Sequence, residues 1–411
     1  MFKAFQQSIR ALKANPVRTV LTTLGIVIGI ATVIMVLSAG AGFRSLIDDQ
    51  IKSLGSDTLF IKTRVPPTTK NRAQTLTPGI AVGITTFNQR DLDDIKKLNN
   101  VVNDYGMVTG MAVAGYRNNQ KNVIYFGSSA ERFSIDKHEL KVGRFYTAAE
   151  DTGAAQVIIL GSNLADNLFL QDDPLGKLAR VGNLNFLVIG VYKPQGGGEG
   201  GADDSLFMPL QTAQKKMLGI NYISVAVVQL KNTNLGDATS EGIKLTLRKN
   251  HNITNPDKDD FIVMTQAQVL DIYNTIFNGI TILLIAIASI SLVVGGVGIM
   301  NIMYVVVTER TAEIGLKKAL GAKNSDILSE FLIESVLVTV LGGIIGILFG
   351  AVLGWLVSIV ASYAGLVWTF TVPLYSIIIG VGVSAIIGIS FGVLPARSAA
   401  KLDPIEALRY E

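Results

Sequence analysis

Three long stretches without a charged side chain constrain this sequence more than any other feature. They cover residues 19–43, 272–308 and 335–396. A helix needs about 20 mainly apolar residues to cross the hydrocarbon core of a bilayer, so the first two stretches can each hold one span. The third is long enough for two spans, with Pro373 near the turn between them. We therefore predict four transmembrane helices.

Residues 44–271 have the mixed polar and apolar composition of a domain with its own core. Short apolar or alternating runs predict strands, and residues 87–98 predict a helix. Thr265 and Gln268 have the spacing of a capping box that opens the second long helix. The expected fold class is an α-helical membrane protein with a large mixed α/β domain after the first span. The predicted strands lie at 57–63, 122–129, 156–162, 185–192 and 222–230.

The positive charges gather at one side of the predicted spans. Four lysines and arginines precede residue 19, and further basic clusters lie at 310–323 and 397–409. Since cytoplasmic flanks carry the excess of Lys and Arg, we predict that both termini are cytoplasmic and that the large domain lies outside. The net charge of +4 therefore belongs to the membrane flanks and does not indicate a nucleic-acid partner.

The first residues carry a pattern of their own. Phe2, Phe5 and Ile9 fall on one face of a basic segment, which predicts an amphipathic helix on the cytoplasmic surface at 1–16. The small residues at 39–41 also resemble a signal-peptide cleavage site. The apolar run before them is longer than a signal peptide needs, so a retained span is the favoured interpretation.

A short charged segment, 309–325, separates the second and third spans. Glu313 and Lys317 have the i,i+4 spacing that stabilises a helix, and Gly321 stands where a left-handed cap would end it. A short amphipathic helix that turns into the next span fits this pattern, and so does a solvated loop with a few ion pairs. The face of such a helix would hold Leu316, Ala319 and Leu320.

The sequence carries little catalytic or metal-binding chemistry. It has no cysteine, and neither His138 nor His251 stands in a pattern for catalysis or metal binding. The glycine-rich segment 196–204 lacks the Lys-Ser/Thr ending of a phosphate-binding loop, so a flexible linker is favoured there. We find no P-loop for ATP hydrolysis. We therefore expect a chain that is not an enzyme, with no catalytic residue, cofactor or metal.

Small residues recur at four-residue spacing within the predicted spans. This spacing places them on one face of a helix, where two backbones can approach closely. Ordinary tight packing is the favoured interpretation of these ladders. The predicted packing glycines are Gly25, Gly29, Gly342, Gly346, Gly350, Gly354, Gly388 and Gly392.

Three blocks of the sequence resemble one family. They read ALKANPVRTVLTTLGIVIGIATVI near the start, TERTAEIGLKKALGA followed by FLIES, and LPARSAAKLDPIEALRYE at the end. Together they resemble MacB-type ABC transporter permeases of the FtsX-like superfamily, as does LGSDTLFIK after the first span. The resemblance implies an extracytoplasmic domain of two lobes, the second inserted at about residues 129–220.

The resemblance also implies a function. The chain would be the permease subunit of an exporter in the cell (inner) membrane, and ATP and Mg²⁺ would bind on a separate cytoplasmic ABC ATPase. A second copy, as a homodimer, and a membrane-fusion adaptor protein are the other implied partners. The implied substrates are drugs, peptides or lipoproteins, and an FtsX-like scaffold that regulates an envelope enzyme is the alternative. The residues implied in coupling to the ATPase are Glu309, Arg310, Glu313, Gly315, Lys317, Lys318, Ala319 and Gly321.

These observations divide the chain into successive segments. The expected boundaries are 1–16 (amphipathic helix), 17–43 (first span), 44–271 (outer domain), 272–308 (stalk and second span), 309–325 (coupling helix), 326–362 (third span), 363–375 (outer hairpin), 376–396 (fourth span) and 397–411 (cytoplasmic tail).

Overall fold

A computed structural model of the protein describes residues 16–53, 55, 57–66, 84–196 and 201–409. Most of the predicted N-terminal amphipathic helix, and residues 197–200 of the glycine-rich segment, lie outside the described residues. The chain divides into two compact units. The membrane unit comprises Met1–Ser45, Asn274–Ala361 and Trp368–Glu411, and the outer unit comprises Leu46–Tyr273 and Ser362–Val367.

The chain has long apolar helices and shorter ones, and short helices occur in both units. In chain order they are α1 (Pro16–Ser53), α2 (Gln89–Ile95), α3 (Arg132–Ile135), α4 (Ala148–Thr152), α5 (Ser162–Phe169), α6 (Leu210–Thr212), α7 (Gly236–Asn250), α8 (Gln266–Glu309), α9 (Thr311–Ala319), α10 (Asn324–Tyr363), α11 (Leu374–Ala400) and α12 (Pro404–Arg409).

Four helices in the described part of the chain are long and apolar enough to cross a membrane, namely α1, α8, α10 and α11. All four extend beyond the uncharged stretches that predicted them. Helix α1 continues to Ser53, and α8 already begins at Gln266. Charged side chains end an apolar stretch without ending a helix, because the backbone hydrogen bonds of a helix do not depend on hydropathy.

Helix α1 supplies the centre of the membrane unit. Ile26, Ile30 and Ile34 recur at four-residue spacing and are fully buried. They form one cluster with residues of α8, α10 and α11, among them Leu292 and Ile347. One face of α1 is therefore covered by other helices of the same chain.

Glycines bring these helices into backbone contact. A methyl group added at Gly25 would lie 2.6 Å from the Cα atom of Gly295, and one added at Gly350 would lie 2.6 Å from the carbonyl oxygen of Ala31. Such distances leave no room for a side chain, so α1 meets both α8 and α10 through their backbones.

The remaining predicted packing glycines also lie against neighbouring helices or are buried within their own. Gly29 faces Leu292, Gly346 faces Val27 and Ile30, Gly354 faces Ser38, Gly388 faces Val336 and Thr339, and Gly392 faces Ser335; Gly342 is buried in α10.

The outer unit is built on one ten-stranded sheet. Its strands are β1 (Thr58–Thr63), β2 (Val101–Tyr116), β3 (Asn119–Ser128), β4 (Leu140–Gly143), β5 (Val157–Leu160), β6 (Leu178–Val181), β7 (Leu184–Tyr192), β8 (Leu206–Pro209), β9 (Val225–Leu230) and β10 (Phe261–Thr265). Their order is β10-β1-β9-β2-β3-β8-β5-β7-β4, and β6 pairs with β2 and β7.

The two largest hydrophobic cores among the described residues of the outer unit lie along this sheet. One core joins β1, β9 and β10 to α2 and α7, through residues such as Ile61, Leu92 and Leu247. The other surrounds β5, β7 and β8 together with α5, through residues such as Val188 and Leu164. One sheet runs through both cores, because β3 pairs with β8 in parallel and β2 pairs with β9. The insertion at about residues 129–220 stays a prediction.

The start of α8 bears out a local prediction. The Gln268 amide nitrogen donates to Thr265 Oγ1 at 3.2 Å, and the Thr265 amide nitrogen donates to Gln268 Oε1 at 3.2 Å. This reciprocal pair is the capping box that the sequence predicts, and it satisfies amide groups that the first turn of a helix leaves free.

Candidate coupling site

Helix α9 is a short helix between two long ones, and local chemistry sets both its ends. At Arg310 the backbone leaves helical geometry, with φ −104° and ψ 14°, which separates α8 from α9. After the last turn Gly321 adopts φ +99°, and its amide nitrogen donates to the Lys318 carbonyl oxygen at 3.0 Å. The cap predicted at Gly321 is confirmed, because a positive φ favours glycine over any residue with a Cβ atom.

Lys317 joins α9 to the first turns of α10. Its Nζ atom lies 2.8 Å from Glu330 Oε1 and 3.1 Å from Glu313 Oε1. Partial burial would lower the pKa of Lys317, but the hydrogen bonds to Glu330 and Glu313 outweigh it and raise the pKa. The lysine is therefore held as an ammonium ion between two carboxylates, one on each helix.

A second ion pair in this region involves a buried carboxylate on α10. Arg310 Nη1 donates to Glu334 Oε2 at 3.1 Å, and Glu334 is buried. Sequence reasoning did not select Glu330 or Glu334. Their spacing carried a signal, since two acids one turn apart on α10 match two bases two turns apart, namely Arg310 just before α9 and Lys317 within it.

Residues 400–407 contact the other side of α9. Lys318 Nζ donates to the carbonyl oxygens of Ala400 and Leu402, each at 2.7 Å. Gly315 is buried against α12, where an added methyl group would lie 2.8 Å from the Cβ atom of Ala407. Helix α9 is thus tied to α10 by charges and to α11 and α12 by hydrogen bonds and close packing.

Part of the exposed surface of α9 and of the residue that follows it is apolar. Leu316 is 54% exposed and Leu320 is 81% exposed, and Ala319 between them is also exposed. We call these three residues the α9 apolar face. Sequence reasoning placed them on one side of the helix but did not select the two leucines as site residues, because a periodic pattern does not say which side meets solvent.

The predicted coupling residues therefore fall into two groups. Arg310, Gly315, Lys317 and Lys318 contact other parts of the membrane unit, while Glu309, Glu313, Ala319 and Gly321 are exposed. Glu313 is shared between the groups, since it is exposed and also contacts Lys317. Their role in coupling stays a prediction.

Comparisons with known families cover both units. The model of the MacB-like periplasmic core domain matches residues 19–245, which is more than half of the chain. The model of the FtsX-like permease C-terminal region matches residues 285–404, which include α9 and its contacts with α10 and α11. The chain belongs to the MacB and FtsX-like permease family. The four apolar helices and the match to a periplasmic core domain fit an inner-membrane permease with a domain outside.

Whole relatives of this permease are similar along its length. The macrolide export ATP-binding/permease protein MacB of Bdellovibrio bacteriovorus is 35% identical over 100% of this chain and 62% of its own length. The MacB protein of Chlorobaculum tepidum is 37% identical over 98% of this chain and 61% of its own length. The chain thus spans about three fifths of the relatives it matches. The solved periplasmic region of MacB from Actinobacillus actinomycetemcomitans is 18% identical, with a TM-score of 0.44, and covers 56% of this chain and 97% of that one; at that score the likeness adds nothing to the assignment.

Proposed function

We propose that this permease transmits the ATP-driven motion of a cytoplasmic ABC ATPase to its outer domain, which moves a drug, peptide or lipoprotein substrate. The observation that carries the proposal is the α9 apolar face. An exposed apolar surface on a short helix suits docking into a partner protein. Behind this face, the helix is joined to three others by ion pairs, hydrogen bonds and close packing.

The contacts define a route for force through the membrane unit. A displacement of α9 would pull on α10 through Lys317 and Glu330, and on the end of α11 through Lys318. Helix α10 lies against α1 at Gly350, so the displacement would reach a third span. A helix is stiff along its axis, so a small shift at one end reaches the other.

The proposal includes partners and an orientation. The ATPase would be cytoplasmic and would bind ATP and Mg²⁺, both chain termini would be cytoplasmic, and two copies of the permease would form a homodimer. A membrane-fusion adaptor would join the outer domains. The name of the macrolide export relatives, which combines ATP-binding and permease parts, supports a partnership with an ATPase.

Serine at both leucines tests the docking role of the α9 apolar face. Leu316→Ser combined with Leu320→Ser removes apolar surface that is already exposed, so folding should change little. At a docked interface the same surface would be desolvated, and its loss should weaken the complex by about tenfold or more. The measurement is the ATPase rate of the subunit that co-purifies with the permease, with and without the permease in nanodiscs.

A matched control comes from the outer unit. Leu245 is 64% exposed on α7, and Leu245→Ser should leave ATPase stimulation unchanged. Normal stimulation by the Leu316 and Leu320 double variant would reject the α9 apolar face as the docking surface, as would a permease that purifies without any ATPase.

The absence of cysteine makes the orientation easy to test. A single cysteine at Ser325, which is exposed in the first turn of α10, or at Leu235 in the outer unit, would be the only thiol in the chain. In intact cells a membrane-impermeant maleimide should label the cysteine at 235 and spare the one at 325. The opposite labelling pattern would show that the orientation in the membrane is the reverse of the one proposed.

A further inference from the structure

The outer unit contains a cavity of about 610 Å³. This volume lies in the range of pockets that hold small ligands. Apolar side chains from β2, β3 and β8 form much of its wall, among them Met107, Phe126 and Phe207. Phe126 and Phe207 stack with their ring centroids 5.5 Å apart, which gives the wall a rigid aromatic surface.

A buried arginine lines this cavity with a free donor. The Arg132 side chain is only 8% exposed, and its Nε atom donates to Asp136 Oδ2 at 2.8 Å. Its Nη1 atom is buried and has no hydrogen-bond partner among the described residues. A buried donor without a partner costs free energy comparable to a lost hydrogen bond, and more when the group is charged. The position therefore favours a ligand oxygen.

The surroundings hold Arg132 in place. Its guanidinium lies over the Phe207 ring, 4.7 Å from the centroid, and Asp136 fixes the opposite edge. A rim of the cavity is fixed as well, because Asp203 accepts hydrogen bonds from the amide nitrogens of Gln195 and Gly196 at 2.8–3.0 Å. Arg132, with its unpaired donor, is thus held in a preorganised part of the cavity wall.

We propose that this cavity binds a small amphiphile with an apolar chain and a single carboxylate, and that the carboxylate accepts a hydrogen bond from Arg132 Nη1. The apolar chain would lie along the aromatic wall. A single negative charge suits the wall better than a doubly charged phosphate, because the acidic Asp49 and Glu139 line the cavity together with the basic Lys137, His138 and Lys193. Lys193 is already paired with Glu139.

This inference goes beyond the proposed function, because binding here needs neither a partner ATPase nor transport. The test uses the full chain in nanodiscs and a hexadecanoic acid that carries a photoreactive diazirine and an alkyne tag. After illumination and digestion, labelled peptides are quantified relative to labelling of the membrane helices. We expect labelling of peptides that contain 105–107, 126–139 or 207, reduced by unlabelled hexadecanoic acid but not by its methyl ester.

Variants separate recognition by Arg132 from general partitioning into lipid. Arg132→Met should lower the labelling of these peptides about tenfold, since a hydrogen bond to a charged group is lost. Arg117→Met is the matched control, because Arg117 is exposed and pairs with Asp172 away from the cavity; it should label normally. Met107→Trp should also abolish labelling, because the larger side chain fills the cavity. This variant keeps the ion pair of Arg132 with Asp136, so it provides the test if Arg132→Met does not fold.

Two results would overturn the proposal. One is labelling confined to the membrane helices, with none on the cavity peptides. The other is equal competition by the acid and the methyl ester, which would show that no carboxylate is recognised. Normal ATPase stimulation by the Leu316 and Leu320 double variant would reject the docking proposal and leave this test unaffected, so the two proposals fail separately.

Discussion

The Nζ atom of Lys318 lies 2.7 Å from the carbonyl oxygen of Leu402, just beyond the C-terminal end of α11. The same nitrogen donates to Ala400 in the last turn of that helix. The last carbonyl groups of a helix lack partners within the helix and carry partial negative charge, so an ammonium group there is favourable. One side chain of α9 therefore holds the end of a membrane span.

Replacing Lys318 should loosen this connection. Lys318→Met removes two charge-assisted hydrogen bonds and should lower the free energy of unfolding by about 1–2 kcal/mol. We expect a lower thermal midpoint in detergent and a reduced ATPase stimulation. Lys323→Met is the control, since Lys323 is exposed, and it should change neither quantity. Equal midpoints for both variants would show that the contacts of Lys318 contribute nothing to stability.

The turn after α9 should tolerate asparagine better than leucine. Gly321 has φ +99°, and an added methyl group there would meet nothing within 4 Å. The cost of Gly321→Leu is therefore backbone strain alone, about 1–2 kcal/mol, and Asn costs less because it visits positive φ more readily. We expect the leucine variant to insert normally and to stimulate the ATPase less than the asparagine variant. Full stimulation by Gly321→Leu would show that the direction of this turn is unimportant.

Glycines within the spans should differ in how well they tolerate alanine, depending on whether another helix lies against them. A methyl group at Gly350 would lie 2.6 Å from the Ala31 carbonyl oxygen, whereas one at Gly382 would meet nothing within 4 Å. Gly350→Ala should therefore destabilise the protein by about 1–3 kcal/mol through overpacking. Gly382→Ala should be neutral or slightly stabilising, because alanine favours a helix. Thermal unfolding in detergent measures both, and a neutral Gly350→Ala would contradict the close contact of α1 with α10.

The outer unit should lose stability in mild alkali through His251. Its side chain is 4% exposed, and its Nδ1 atom lies 2.8 Å from Asp260 Oδ1 and its Nε2 atom 3.4 Å from Asp91 Oδ2. Burial alone would lower the pKa of His251, but the hydrogen bonds to these carboxylates raise it to about 9. Since the pKa is higher in the folded protein, the contribution of His251 is complete below about pH 6.5 and is lost as pH rises through about 9.

The variant His251→Gln isolates this effect. A shift of that size corresponds to a contribution on the order of 3 kcal/mol. The thermal midpoint of the wild type should exceed that of His251→Gln near pH 6, and the gap should close between pH 7 and pH 10. A gap that stays constant over this range would mean that the histidine stabilises the domain without its charge.

The parts of this protein that the sequence predicted correctly depend on residues close together in the chain. The capping box of Thr265 and Gln268 spans one helical turn, and the cap at Gly321 depends on the backbone freedom of a single residue. The four spans follow from hydropathy, which acts through the bilayer and needs no tertiary partner. The division into a membrane unit and an outer α/β unit follows from the same property.

Only the tertiary structure decided which side chains meet across helices. The charges of 309–325 could be recognised in the sequence, but Lys317 pairs with Glu330 and Lys318 with Leu402 because three helices and the chain end converge there. The exposure of Leu316 and Leu320 likewise depends on which face of α9 its neighbours cover, and an amphipathic pattern does not contain that information. Arg132 is one of several charged residues at 131–139 and carries no signal of its own in the sequence. It becomes a candidate ligand contact only where strands distant in the chain close a cavity around it.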